Sequence, residues 1–460
     1  MNPRVFREYD IRGNADRDLD DGFANELGKA IGTHLKRAGA QKMTLGRDCR
    51  VTSPRLHKAL RSGILSTGMH IIDVGVVATP LLYFSVFHFD ADGGVQITGS
   101  HNPPEDNGFK ILRGKSTIHG AEIQALRELI EKRDFETGLG VVTERDIQDA
   151  YIDVAASKIK LGPRRFKVVV DAGNGVGGTC VPLLKRLGFD VTGLFIEPDG
   201  RFPNHHPDPT IEANVADLKA KVAEVGAEVG IALDGDADRI GVVDAKGRIV
   251  WGDQLMIFFA RAILKEVPGA TFVSEVKCSK AMYDEIAKAG GKAIMWKVGH
   301  SLIKEKMKEE KAVLAGEMSG HIFFAHRYFG YDDAIYSAAR LCELLTKEEK
   351  PLADHVDALP KLFNTPEIRY ELPDEIKFDV VRRVVEHFKS TAEKEGHTVV
   401  DVDGARVTWK DGWALVRASN TQAALVLRFE AETEPRLGEI RKKVEAALKK
   451  MEGEAKKAAQ

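Results

Sequence analysis

Apolar residues along this chain follow a repeated rhythm. Short runs rich in Val, Ile and Leu, as in "KMTLGRDCR", "FKVVVDAGNGVGG" and "TFVSEVKCS", close on polar residues or glycine. Each leads into a stretch whose apolar positions recur at helical spacing: "SPRLHKALRSGILSTG", "TCVPLLKRLG" and "KAMYDEIAKAGG". A strand, a turn and an amphipathic helix read this way. The repetition predicts three α/β units over residues 1–146, 147–250 and 251–360, divided near the charged helical stretch "DIQDAYIDVAASKIK" and near Trp251. Beyond Pro360 the rhythm changes. An amphipathic helix in "KFDVVRRVVEHFK" precedes "ARVTWKDGWALVRASNTQAALVLRFEAET", which reads as strands joined at Lys410-Asp411-Gly412, and then a closing helix. Residues 361–460 are therefore expected to form a smaller α+β domain. The Ala, Glu and Lys of "KKVEAALKKMEGEAKKAAQ" predict a frayed, solvated helix there rather than a docking site.

Length and composition agree with several soluble domains, since 460 residues are too many for one hydrophobic core. With 67 Lys and Arg against 69 Asp and Glu, no global field is available to hold nucleic acid or an anionic membrane. Any anion must be bound locally. Four scattered cysteines without a C-x-x-C pair argue against a zinc site and a disulfide framework. No apolar run approaches a membrane span, and "MNPRVFREYD" lacks the apolar core of a signal peptide, so the expected location is the cytoplasm.

Four stretches carry candidate chemistry. In "TGSHNP", Gly99 leaves room beside Ser100 while Asn102 and Pro103 favour a turn. Alone, this is equally a turn with a capping serine, and it lacks the second glycine of a G-x-S-x-G elbow. In "DGDADR", Asp234, Asp236 and Asp238 alternate with small residues between two apolar runs, a spacing that lets carboxylates converge on a hard cation. Arg239 and Ala245 stand where an EF-hand needs Gly and Glu. In "GEMSGH", Glu317, Ser319 and His321 suit a polyhydroxylated ligand or a polar hairpin. In "RASNTQ", Arg417 offers a planar fork for phosphate, and Ser419, Asn420 and Thr421 add neutral donors. A fifth stretch, Gly173, Gly175 and Gly178 after a strand, fits a dinucleotide loop or tight helix-sheet packing.

Together the first four describe phosphoryl transfer on a sugar phosphate. With "FREYDIRG" at 6–13 they occur in an order that resembles the α-D-phosphohexomutases, most closely the bacterial phosphomannomutase/phosphoglucomutase type. The resemblance implies three similar α/β domains with mixed sheets and a smaller C-terminal α+β domain around a central cleft. It implies that Ser100 carries a phosphoryl group, that Asp234, Asp236 and Asp238 with Ser100 hold one Mg²⁺, and that hexose 1,6-bisphosphate is activator and intermediate. By the same resemblance Tyr9, Arg12, Lys277, His300, Glu317, Ser319, His321, Arg417, Ser419, Asn420 and Thr421 bind substrate. Arg239 joins Ser100, His101, Lys110 and His321 in the catalytic set, with proton transfer left among His101, His321 and Lys110. The implied partner is a small phosphosugar, the chain being a monomer or a dimer. Phosphoglucosamine mutase is the sister alternative, Met318 favouring the mannose/glucose type. A NAD-dependent oxidoreductase, resting on the Gly173 loop, and a non-catalytic sugar-phosphate binder are the alternatives from other classes.

Overall fold

The computed structural model describes residues 2–419 and 423–459. Each predicted apolar run is a strand and each helical stretch a helix: Lys42–Arg47 precedes Ser53–Leu65, Lys167–Asp171 precedes Cys180–Arg186, and Thr271–Glu275 precedes Lys280–Lys288. They build mixed sheets of seven, five and four strands, and a fourth of six.

The first three sheets share one plan. In each, a strand running parallel to its neighbour ends in a loop and returns as an antiparallel partner. Gly93–Ile97 returns as Asp106–Arg113, Val229–Leu233 as Ile240–Asp244, and Leu314–Gly316 as Ile322–Phe324. The returning loops are the Ser100, Asp234 and Glu317 stretches, all at the carboxyl ends of parallel strands, where α/β sheets bind ligands. In the antiparallel fourth sheet, Gly412–Ala418 and Ala424–Ala431 are joined by the Ser419 loop.

Apolar burial ties these bodies together unequally. One core runs through the first three, joining Leu81, Tyr83 and Phe84 to Tyr151, Leu184 and Ile231 and on to Phe324, Tyr336 and Leu345. The fourth body has its own core and meets the third at a small cluster of Val276, Trp413 and Leu415. Polar side chains supply the rest of that contact. Arg406 lies with its guanidinium carbon 3.2 Å from the Trp413 ring centre and donates to the carbonyls of Val276 (2.6 Å) and Cys278 (3.0 Å). Glu430 accepts from Trp413 Nε1, Ser279 Oγ and the Lys280 amide.

One expectation fails. The closing helix Glu434–Ala459 is not a solvated tail, because Val444, Leu448, Met451 and Ala455 are buried in the core of the fourth body. Their spacing of four, three and four residues forms a single apolar stripe that the surrounding Lys and Glu conceal in the composition. No helix among the described residues is long and apolar enough to cross a membrane.

Candidate active site

Ser100 stands at the turn of its loop with φ 50 and its side chain buried. Its amide donates to Thr98 Oγ1 at 2.8 Å, while its Oγ donates to Asp234 Oδ2 at 2.7 Å and lies 3.1 Å from His101 Nδ1. The Asp234 loop turns back tightly with Ala237 at φ 59. Asp234 Oδ1 accepts the amides of Asp238 and Arg239, each at 3.1 Å, so the first aspartate shapes the loop that carries the others.

The three carboxylates offer oxygens within 4.8 Å of one another, all wholly buried. Lys110, on the strand returning from the serine loop, donates to Asp236 Oδ2 at 2.7 Å and pairs with Asp238. Thr79 Oγ1 reaches Asp236 Oδ2 at 2.6 Å. Burial, then Asp238 and Asp236, push the Asp234 carboxyl well above its ordinary range. Burial opposes charge on Asp238 too, but Lys110 and His321 outweigh it and hold that carboxyl well below. Burial likewise disfavours the Lys110 ammonium, which Asp236 and Asp238 nevertheless stabilise. Oδ1 of Asp236 accepts no hydrogen bond, and Oδ1 of Asp238 faces only His321 Nε2 at 3.2 Å. Buried, hard oxygens converging from one loop fit a divalent ion of the Mg²⁺ type.

The Glu317 loop joins this cluster through His321, whose Nδ1 is 2.8 Å from Glu317 Oε2. Its Nε2 lies 3.2 Å from both Arg239 Nε and Asp238 Oδ1, a donor and an acceptor, so it serves one at a time. Burial disfavours the imidazolium, but Asp238 outweighs this and raises the ring's pKa to about 9. Glu317 Oε1 accepts the Gly299 amide at 2.8 Å, which anchors the segment bearing His300. His300 Nδ1 faces Asp332 Oδ2 at 3.5 Å and its ring meets those of His321 and Tyr9. Tyr9 Oη donates to the Val298 carbonyl at 2.7 Å, and Arg12 Nη1 to Asn102 Oδ1 at 2.9 Å.

Arg417 is held in the fourth body by Asp403, with Nε to Oδ2 at 3.0 Å. The same Oδ2 accepts the Val298 amide at 3.0 Å, linking the arginine to the His300 segment. The Ser419 carbonyl accepts from Lys377 Nζ at 2.6 Å, whereas Asn420 and Thr421 lie outside the described residues. Lys277 faces Glu367 Oε2 at 3.5 Å, beside the fourth body rather than in the aspartate cluster. Ser319 Oγ is 3.4 Å from His321 Nδ1.

The chain matches family profiles described as phosphoglucomutase/phosphomannomutase alpha/beta/alpha domain I over residues 3–137, domain II over 149–247 and domain III over 251–363, and the C-terminal domain over 367–447. The chain belongs to the phosphoglucomutase/phosphomannomutase family. A Pseudomonas aeruginosa relative named phosphomannomutase/phosphoglucomutase is 44% identical over 95% of this chain and 94% of its own. A Neisseria gonorrhoeae relative named phosphoglucomutase is 43% identical over 96% of each chain. The crystal structure of a phosphoglucomutase/phosphomannomutase family protein from Burkholderia thailandensis superposes with a TM-score of 0.92 at 39% identity, covering 98% of both chains.

In this family member the Gly173 loop is filled by protein. A Cβ on Gly175 would stand 2.6 Å from the Gly235 carbonyl oxygen, Asn174 Nδ2 donates to the Glu197 carbonyl, and Asp171 pairs with His205. The glycines allow this loop to pack on the aspartate loop, which removes the dinucleotide reading.

Other residues at the site were not visible in the motifs: Asp48, Arg50, Thr79, Lys304 and Asp332. Lys304 donates to Asp332 at 2.9 Å, and Asp48 Oδ2 accepts the Gly99 amide at 3.1 Å. The signal available for Asp48 and Arg50 was their place just beyond the carboxyl end of a strand, in "GRDCR".

Proposed function

We propose that this protein is a phosphohexomutase that interconverts mannose or glucose 1-phosphate with the 6-phosphate. The observation that carries the reading is Ser100 Oγ at 2.7 Å from Asp234, within a buried cluster of three aspartates, in a chain of this family. Phospho-Ser100 gives its phosphoryl group to the free hydroxyl of the bound sugar phosphate. The Ser100 Oγ–P bond breaks, a P–O bond forms on the sugar, the hydroxyl proton leaves to a base, and the released serine oxygen takes up a proton. The resulting hexose 1,6-bisphosphate turns round, and Ser100 takes back the other phosphate.

Proton transfer is divided in this reading. His101 is within reach of Ser100 Oγ, and burial followed by Arg239 holds its ring well below the ordinary histidine value, so it is a neutral acceptor for the serine proton. Proton transfer at the sugar hydroxyl falls to His101, His321 and Lys110; despite burial, the aspartates keep His321 and Lys110 protonated, so either must first lose its own proton to act as the base. Asp234, Asp236 and Asp238, with Ser100, would hold Mg²⁺. When bound, the ion draws charge from the transferring group. Arg239 lies beside the aspartates to meet an anion. Tyr9, Arg12, Lys277, His300, Glu317 and Ser319 surround the sugar, while Arg417, Ser419, Asn420 and Thr421 grip the phosphate that is not reacting. The four working loops belong to domains 1–146, 147–250, 251–360 and 361–460, and the enzyme acts in the cytoplasm.

The test is conversion of mannose, glucose and glucosamine 1-phosphates by purified protein with Mg²⁺ and a trace of glucose 1,6-bisphosphate. The first two should turn over, and Ser100→Ala should lower kcat by more than about 10⁴-fold. Turnover of the glucosamine compound alone would assign the protein to the sister activity. Substantial turnover by Ser100→Ala would refute the phosphoserine.

A further inference from the structure

Four main-chain carbonyls of the serine loop converge on a side chain that the reaction above does not use. Arg50 Nη2 donates to the carbonyls of Ser100 and Asn102, each at 2.7 Å, and Nη1 to those of Asp106 at 2.9 Å and Pro103. This commits all four Nη hydrogens. The loop needs an outside donor because Pro103 and Pro104 bring no N–H of their own.

Arg50 is itself fixed on every side. Its side chain is fully buried, with Nε 3.3 Å from Asp48 Oδ2. Asp48 also accepts the Arg50 and Gly99 amides and the Ser53 hydroxyl. The Phe202 ring of the second body lies 5.3 Å from the guanidinium carbon. Two glycines make the space: a Cβ on Gly99 would stand 2.4 Å from that carbon, and one on Gly200 2.5 Å from Arg50 Cα. The backbone so held keeps Ser100 at φ 50, a region unfavourable for a residue with a Cβ.

We propose that Arg50 is a positioning residue for phosphoryl transfer, whose grip on the carbonyls of residues 100, 102, 103 and 106 fixes the left-handed turn that aims Ser100 Oγ at the aspartates. Phe202 completes the device, so the aim of the serine depends on the second body being seated against the first. The inference rests on the reading of Ser100 as the phosphoryl carrier.

Arg50→Lys keeps the charge but replaces a four-hydrogen fork by a single point. The experiment labels wild type, Arg50→Lys and Phe202→Leu with ³²P-glucose 1,6-bisphosphate, counts the chains that take label, and measures kcat per labelled chain and KM for glucose 1-phosphate. Arg50→Lys should turn over about 100-fold more slowly per labelled chain with KM within about threefold, as expected for a misaimed reacting group. Phe202→Leu should lose about fivefold at a nearly unchanged melting temperature. Fewer labelled chains that each turn over at the wild-type rate would mean a merely structural role and overturn the proposal. If Arg50→Lys does not fold, Phe202→Leu decides, and wild-type turnover per labelled chain overturns it. A wild type that takes no label defeats the phosphoserine reading itself, a result distinct from either variant outcome.

Discussion

The pairing of the serine loop with the aspartate loop and the attachment of Arg417 are built in opposite ways. The first joins two bodies that share a continuous apolar core, and its contacts are buried side chain to side chain: Ser100 to Asp234, Lys110 to Asp236, Thr79 to Asp236. Arg417 belongs to a body with its own core, docked through a small apolar cluster and a set of hydrogen bonds. Small polar contacts of that kind permit relative movement of domains. The groups assigned to making and breaking bonds are thus set in a fixed frame, whereas the proposed phosphate grip sits on the part with least apolar contact to lose on moving. For the proposed reaction, whose intermediate must turn round, that division separates aim from hold.

The largest effect that tests the frame is on stability. Lys110→Met leaves two wholly buried carboxylates without their ammonium, and should cost about 3 to 5 kcal/mol in chemical denaturation. Added Mg²⁺ should then raise the melting temperature of the variant more than that of the wild type, since the ion replaces the missing charge. Equal responses would show that the lysine, not an ion, is the natural partner of the carboxylates.

The grip should respond in binding. Arg417→Ala removes about 1.5 to 3 kcal/mol of charge-assisted hydrogen bonding, and so should raise KM for glucose 1-phosphate by about 10- to 100-fold with kcat within about fivefold. A change confined to kcat would place Arg417 in the frame and erase the contrast. The docking contact should matter least: Glu430→Gln weakens the acceptor shared by Trp413, Ser279 and Lys280, and should raise KM by about fivefold with kcat unchanged. Matching losses in kcat from this distant change would mean that the fourth body takes part in setting the chemistry.

The comparison also explains what could be read in advance. The strand and helix rhythm and the short loops were legible because each lies within a few consecutive residues, as with Asp234, Asp236 and Asp238. Arg50 was not, since its partners lie about fifty residues on and are carbonyls, which every residue has. Asp332 and Lys304 are likewise joined to the site by folding alone, through His300. The closing helix was misread because its stripe of Val444, Leu448, Met451 and Ala455 is diluted among charged neighbours. The Gly173 loop showed the converse problem: a ligand and a neighbouring backbone ask for the same glycines, and only the presence of Gly235 against Gly175 distinguishes them.

Arg406, stacked on Trp413 and bonded to the carbonyls of Val276 and Cys278, has a consequence for recombination between relatives. A chimera that takes its last hundred residues from another family member keeps this joint only where the incoming segment brings an arginine and a tryptophan at these two places, because the receiving groups in the third domain are main-chain carbonyls that any sequence supplies. Ser279 is different, since its hydroxyl donates to Glu430, 151 positions further on, and so is a third-domain side chain that must be matched to the incoming segment.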